Sequence, residues 1–135
     1  MSEQENVQAC QDMYAAFGRG DVPAILAVLS EDAQLHHGGS GIVPWGGRTL
    51  AGTAGWEQFF GDLLELFEPE TFEPKKYVAQ GDTVVALGDF RFRTRRTGKS
   101  YETDWAMAWT FRDGKAVECR VYEDTEAQAA SLAAD

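Results

Sequence analysis

A chain of 135 residues can bury about two-thirds of its unfolded surface around one core, and it needs neither disulfides nor a structural metal to stay folded. Its 12 basic and 22 acidic side chains leave a net charge of −10, which sets it against a phosphate backbone or an anionic membrane as partner. No apolar run approaches membrane-spanning length, and the polar, acidic start Met-Ser-Glu-Gln-Glu-Asn is unlike a secretory signal, so a cytoplasmic protein of one domain over residues 1–135 is expected.

Val7, Cys10, Tyr14 and Phe17 recur at helical spacing until Gly18-Arg19-Gly20 stops the pattern. Asp21 is placed to cap a second helix, with Pro23 tolerated in its first turn and Val22, Ile25, Leu26 and Leu29 as its buried stripe. A short strand follows, ending at His36-His37. Residues 38–55 then hold seven glycines together with Pro44 and Trp45, a pattern that predicts a long loop acting as a lid, with Trp45 closing over a pocket mouth. Trp56, Phe59, Phe60, Leu63, Leu64 and Phe67 give the most regular helical stripe in the chain.

Beyond Thr71 the period changes to two. Strands are predicted over 72–80, 83–94, 100–112 and 115–123, separated by Gly81-Asp82, Thr97-Gly98 and Asp113-Gly114, and successive hairpins make an antiparallel meander. Val84, Ala86, Gly88, Phe90 and Phe92 share the inner face of one strand, and Trp105, Met107, Trp109 and Phe111 that of the next. A two-residue turn would set Arg93 opposite Glu102 and Arg91 opposite Asp104 on the outer face. That face suits the interface of a homodimer, and light scattering at micromolar protein is expected to read twice the chain mass; a clean monomer would remove the idea. In the last strand Val117, Cys119 and Val121 face inward only if one extra residue is inserted, which a glycine-type bulge at Gly114 supplies, bringing Glu123 across from Trp105. The alanine-rich tail from Thr125 to Ala134 is weakly helical and either frays or covers the cavity mouth.

The two histidines stand side by side, and alternation with Leu35 turns His37 inward and His36 outward. His37 is therefore the candidate base, with Glu123 and Tyr14 as the other inward polar groups. An apolar pocket is expected to hold the His37 pKa below about 6.5, while a carboxylate at Glu123 pulls it the other way. Trp45, Phe60, Phe90, Phe92, Trp105 and Trp109, with the flexible Met13 and Met107, are read as core that also walls a pocket for a flat hydrophobic ligand. Phe17, Cys119 and Val121 complete that expected wall. The cysteines Cys10 and Cys119 are read as reduced packing residues, and no cofactor or metal is expected.

Helices first, then a long loop, a third helix and a curved antiparallel sheet, is the layout of an α+β conical half-barrel whose helices close a half-rolled sheet around a pocket. In Met13-Tyr14-Ala15-Ala16-Phe17-Gly18-Arg19-Gly20-Asp21, Leu29-Ser30-Glu31-Asp32-Ala33 and Trp109-Thr110-Phe111-Arg112-Asp113-Gly114-Lys115-Ala116-Val117, the chain resembles the nuclear transport factor 2-like superfamily, in particular its SnoaL-like and ketosteroid-isomerase-like group. The resemblance implies that the isomerases' tyrosine, protonated aspartic acid and aspartate base fall on Met13, Met107 and His37. Two hydrogen-bond donors are thus missing, and Tyr14 lies about 100° further around its helix than Met13, so authentic steroid isomerisation is not expected. Two readings stay open. One is a general acid/base enzyme (isomerase, aldol-type cyclase or hydrolase) acting on an aromatic or polyketide-like substrate. The other is a non-catalytic ligand-binding or dimerisation module of the same fold.

Overall fold

In the computed structural model, residues 2–134 are described, so the first and last residues of the expected domain lie outside the described residues. Helix α1 (Glu3–Gly18) opens on a capping box in which Ser2 and Glu5 each satisfy the other's backbone N–H. Asp21 caps α2 (Val22–Leu26) by accepting from the Ala24 N–H at 3.2 Å. The chain then enters β1 (Leu29–His37), a short β2 (Thr49–Ala51), α3 (Gly52–Leu66), and the four strands β3 (Phe67–Gln80), β4 (Thr83–Thr94), β5 (Ser100–Arg112) and β6 (Lys115–Glu123) before α4 (Thr125–Leu132).

Among the described residues the strands form one curved, unclosed sheet in the order β2-β1-β6-β5-β4-β3. The helices pack on its inner side, giving the expected α+β cone. Leu29 belongs to β1 rather than to the stripe of α2, because α2 ends at Leu26 and a turn at Ala27 and Val28 delivers the chain into the strand. β2 is a strand the glycine-rich stretch concealed. Another departure from a pure meander is that β1 lies parallel to β6, with Leu35 beside Cys119 and His37 beside Val121.

The outer face is shifted by two residues from the sequence expectation. Residues 95–99 make a longer link than a two-residue turn, held by the Thr94 N–H to Lys99 carbonyl bond at 2.8 Å, so Arg91 faces Glu102 and Asp89 faces Asp104. Arg93 pairs instead with Glu68 of β3, and Lys75 offsets Asp89 at 2.5 Å. The inserted residue in β6 is Val117 and not Gly114. Asp113 and Gly114, both with positive φ (51° and 79°), form a tight turn that keeps Phe111 opposite Ala116, and the register shifts only afterwards, where Thr110 meets Glu118. Ala116, Cys119 and Val121 are consequently the buried set, and Trp105 faces Glu123 as expected.

Helix α4 is docked rather than frayed. Its last carbonyls accept from Arg96 (on Leu132, 2.8 Å), Thr97 (on Ser131, 2.6 Å) and Lys99 (on Ala133, 2.7 Å), so the β4–β5 link serves as its C-cap.

Candidate active site

The inner faces of β1, β3, β4, β5 and β6, with α1 and α3 above them, surround a cavity of about 80 Å³. Its wall is almost wholly apolar because alternation on each strand delivers rings, thioethers and aliphatics to one face. Met13, Phe17, Phe60, Phe90, Phe92, Met107, Trp109, Cys119 and Val121 are all on it, as expected from sequence, together with Tyr14, His37, Trp45 and Glu123. Trp105 is the exception. It stacks on Phe72 (ring centroids 4.9 Å apart) behind the wall and crowds Gly88, where a Cβ would stand 2.6 Å from the indole.

Two polar devices are set into this wall. In the first, His37 Nε2 stands 3.4 Å from Glu123 Oε1, with both side chains nearly inaccessible to solvent. The ring's other nitrogen, Nδ1, lies 2.9 Å from the Gly38 carbonyl, which can only accept, so Nδ1 carries a proton. That tautomer leaves Nε2 facing the carboxylate either as a second N–H or as a lone pair. His37 therefore cannot offer a free nitrogen to the cavity, in contrast to a base with an open Nε2. Burial disfavours its charged form, but contact with the Glu123 carboxylate and the Gly38 carbonyl outweigh it, and the His37 pKa is raised from 6.5 rather than lowered as the apolar setting alone implied. Glu123 Oε1 also accepts from Gln128 of α4 at 3.2 Å, and the same amide donates to Tyr101 Oη at 3.1 Å. Both the His37 contact and the Gln128 hydrogen bond thus fall on Glu123 Oε1.

In the second device Trp109 Nε1 donates to Tyr14 Oη at 2.9 Å, and the Tyr14 hydroxyl donates to Met107 Sδ at 3.3 Å. Burial pushes the Tyr14 pKa well above 10, so the phenol keeps its proton. A thioether is a weak acceptor, which leaves that O–H ready to turn to a better one. Although Tyr14 is one residue past Met13, its hydroxyl reaches the Met107 position of β5. Met107 and His37 both neighbour Val121 of β6, one from each side, so the two devices lie about 10 Å apart at the backbone.

Trp45 is an interior wall, not a lid. It is 1% exposed and packs edge-on against Phe59, Phe67 and the His37 ring (centroids 5.3, 6.1 and 6.2 Å). Its loop is tightly closed: His37 N–H donates to Arg48 O, Gly47 N–H donates to Gly38 O, each at 3.1 Å, and Gly46 passes so near Ser40 that a Cβ would sit 1.8 Å from the Ser40 oxygen. The Gly38 carbonyl thus joins the loop's closure to the orientation of His37. Sequence reasoning missed Gln128, Tyr101 and this carbonyl. For Gln128 the available signal was one polar residue in register with the buried Leu132 in an alanine-rich helix.

The SnoaL-like domain family model matches residues 10–119. Among solved structures the chain is similar to an NTF2-like protein from Burkholderia xenovorans, with 37% identity, a TM-score of 0.87 and coverage of 98% of this chain and 99% of that one. An NTF2-like protein of unknown function from Burkholderia pseudomallei shares 28% identity with a TM-score of 0.84, covering 99% and 100%. TerC, co-crystallized with polyporic acid, shares 30% with a TM-score of 0.81, covering 92% and 95%. No curated protein matches the chain. Among the described residues, no helix is long and apolar enough to cross a membrane.

Proposed function

Because the chain belongs to the SnoaL-like domain family, we propose that its cavity performs general acid/base chemistry on a small, flat, hydrophobic carbonyl compound, moving a proton at the carbon next to the carbonyl. The observation that carries the reading is the buried His37–Glu123 pair in an otherwise apolar wall. Glu123 Oε2 is the atom offered to the substrate proton, and His37, pinned by Gly38, faces the other carboxylate oxygen through Nε2 and fixes its orientation. Tyr14 transfers its hydrogen bond from Met107 to the substrate oxygen, where negative charge develops as the C–H bond breaks. Entry of a ring requires the wall to give, and Met13 and Met107, unbranched and adaptable, are the side chains suited to it. Such proton transfer is the shared first step of isomerisation and of aldol-type ring closure.

The reading is tested without knowing the natural substrate by following α-proton exchange of phenylacetone in deuterated buffer by NMR. The wild-type protein is expected to exceed the buffer rate, with Tyr14→Phe slower by about tenfold or more. Exchange at the buffer rate across several flat ketones would favour the second reading, a ligand holder. That alternative draws support from the engagement of both His37 nitrogens. Polyporic acid, the compound crystallized with the 30%-identical protein, is the first ligand to titrate in that event.

A further inference from the structure

One buried donor, carried by a side chain that lines the cavity, has no protein partner among the described residues. The indole Nε1 of Trp45 is sealed from solvent yet makes no hydrogen bond, while the residue itself lines the cavity and stands edge-on to His37. An unsatisfied buried N–H is costly and rare in native interiors, so each one calls for a partner supplied from elsewhere. The three other indoles sharpen the contrast. Trp56 donates to the Ala33 carbonyl at 3.1 Å, and Trp109 donates to Tyr14. Trp105 Nε1 is also unpaired, but that residue lies off the wall. Trp45 alone combines an idle donor with a place beside the acid/base pair.

We propose that Trp45 is the specificity-determining donor of this cavity, its N–H binding an acceptor oxygen of the ligand, so that the site selects flat compounds bearing a carbonyl or enolate oxygen over hydrocarbons of the same shape. The proposal rests on the cavity being a ligand site, as in the function proposed above, and it identifies the ligand class rather than the reaction. The rigid loop explains why a tryptophan can do this: Gly46 against Ser40, and Gly47 bonded to Gly38, fix the backbone on both sides of the indole. With the ring locked among Phe59, Phe67 and His37, its donor loses little freedom when an oxygen arrives.

The test compares two probes of nearly the same shape, acetophenone and α-methylstyrene, which differ by a carbonyl oxygen in place of a CH₂ group. Their dissociation constants are measured by NMR titration against the wild-type protein and against a variant carrying β-(3-benzothienyl)alanine at position 45, which keeps the bicyclic shape and removes the N–H. Acetophenone is expected to weaken by about fivefold in the variant while α-methylstyrene stays within about twofold. Equal changes for the two probes, or none, would overturn the proposal. Should that variant fail to fold, Trp45→Phe removes the same N–H and the same ratio is read. Tyr14→Phe supplies the other arm. If it abolishes the preference for the ketone while the position-45 variant leaves it intact, the donor is Tyr14 and not Trp45, and the proton-exchange reading still stands. A preference that disappears with the Trp45 N–H in a protein that exchanges no α-protons would uphold the donor and remove the enzyme.

Discussion

Replacing Glu123 with glutamine is expected to carry the His37 titration from above about 6.5 to below it. In the wild-type protein, burial pulls the pKa down and is overcome only by the carboxylate and the Gly38 carbonyl; with the carboxylate gone, burial is the largest influence left. The sign of the pH dependence of stability reverses with it. Because folded wild-type His37 holds its proton more tightly than the unfolded chain does, its contribution to stability is complete below about pH 6.5 and is lost as pH rises through the raised folded value. In Glu123→Gln the contribution is complete above about pH 6.5 and is lost as pH falls from there through the lowered folded value. Each unit of pKa separation corresponds to about 1.4 kcal/mol. NMR of the His37 ring between pH 4 and 9, with urea midpoints over the same range, reads both effects. Identical titrations in the two proteins would mean that the 3.4 Å contact carries no electrostatic weight.

Gly46→Ala is expected to be the most damaging of the small substitutions, lowering stability by about 3 kcal/mol or opening the 38–48 loop outright. A methyl group there would overlap the Ser40 carbonyl, which is backbone and cannot rotate away as a side chain can. The damage should reach the site, because the same closure presents the Gly38 carbonyl to His37. Gly41→Ala is the control: nothing lies within 4 Å of a Cβ at that position. Thermal melting together with the His37 chemical shift distinguishes the outcomes. A Gly46→Ala protein that melts like Gly41→Ala, with His37 unmoved, would show that the loop plays no such part.

Three strands of the second half, 83–94, 100–112 and 115–123, were legible to the residue from their period and the turns between them, whereas β3 opens at Phe67, five residues before the expected 72, and takes that ring out of the helical stripe. That alternation, with one inserted residue, was enough to bring Glu123 across from Trp105 and onto the same face as His37. The position of the insertion was not legible, because Gly114 and Val117 repair the register equally well on paper and only the Phe111–Ala116 pairing decides. The parallel contact of β1 with β6 left no local trace, as no periodicity names a distant partner. Trp45 was misread for a related reason. Glycines signal freedom to bend, but they serve equally where two backbones must nearly touch, and the sequence around Gly46 looks the same in both cases. The pKa direction of His37 followed from knowing which neighbour won, and that required the distance to Glu123.

The adjacency of β1 and β6 also dictates when the site can exist. The hairpins β3–β4, β4–β5 and β5–β6 each close over short stretches, whereas seating β1 beside β6 joins Leu35 to Cys119 across roughly eighty residues of chain, an entropic cost that must be met before the contact yields anything. On a ribosome, His37 emerges early and waits for nearly the whole remainder of the chain before its carboxylate partner is synthesised. Until then β2 can cover one edge of β1, but the edge that will meet β6 is unpaired, and it is the segment most in need of protection from wrong partners during synthesis. Assembly of the acid/base pair and completion of the fold are therefore one event.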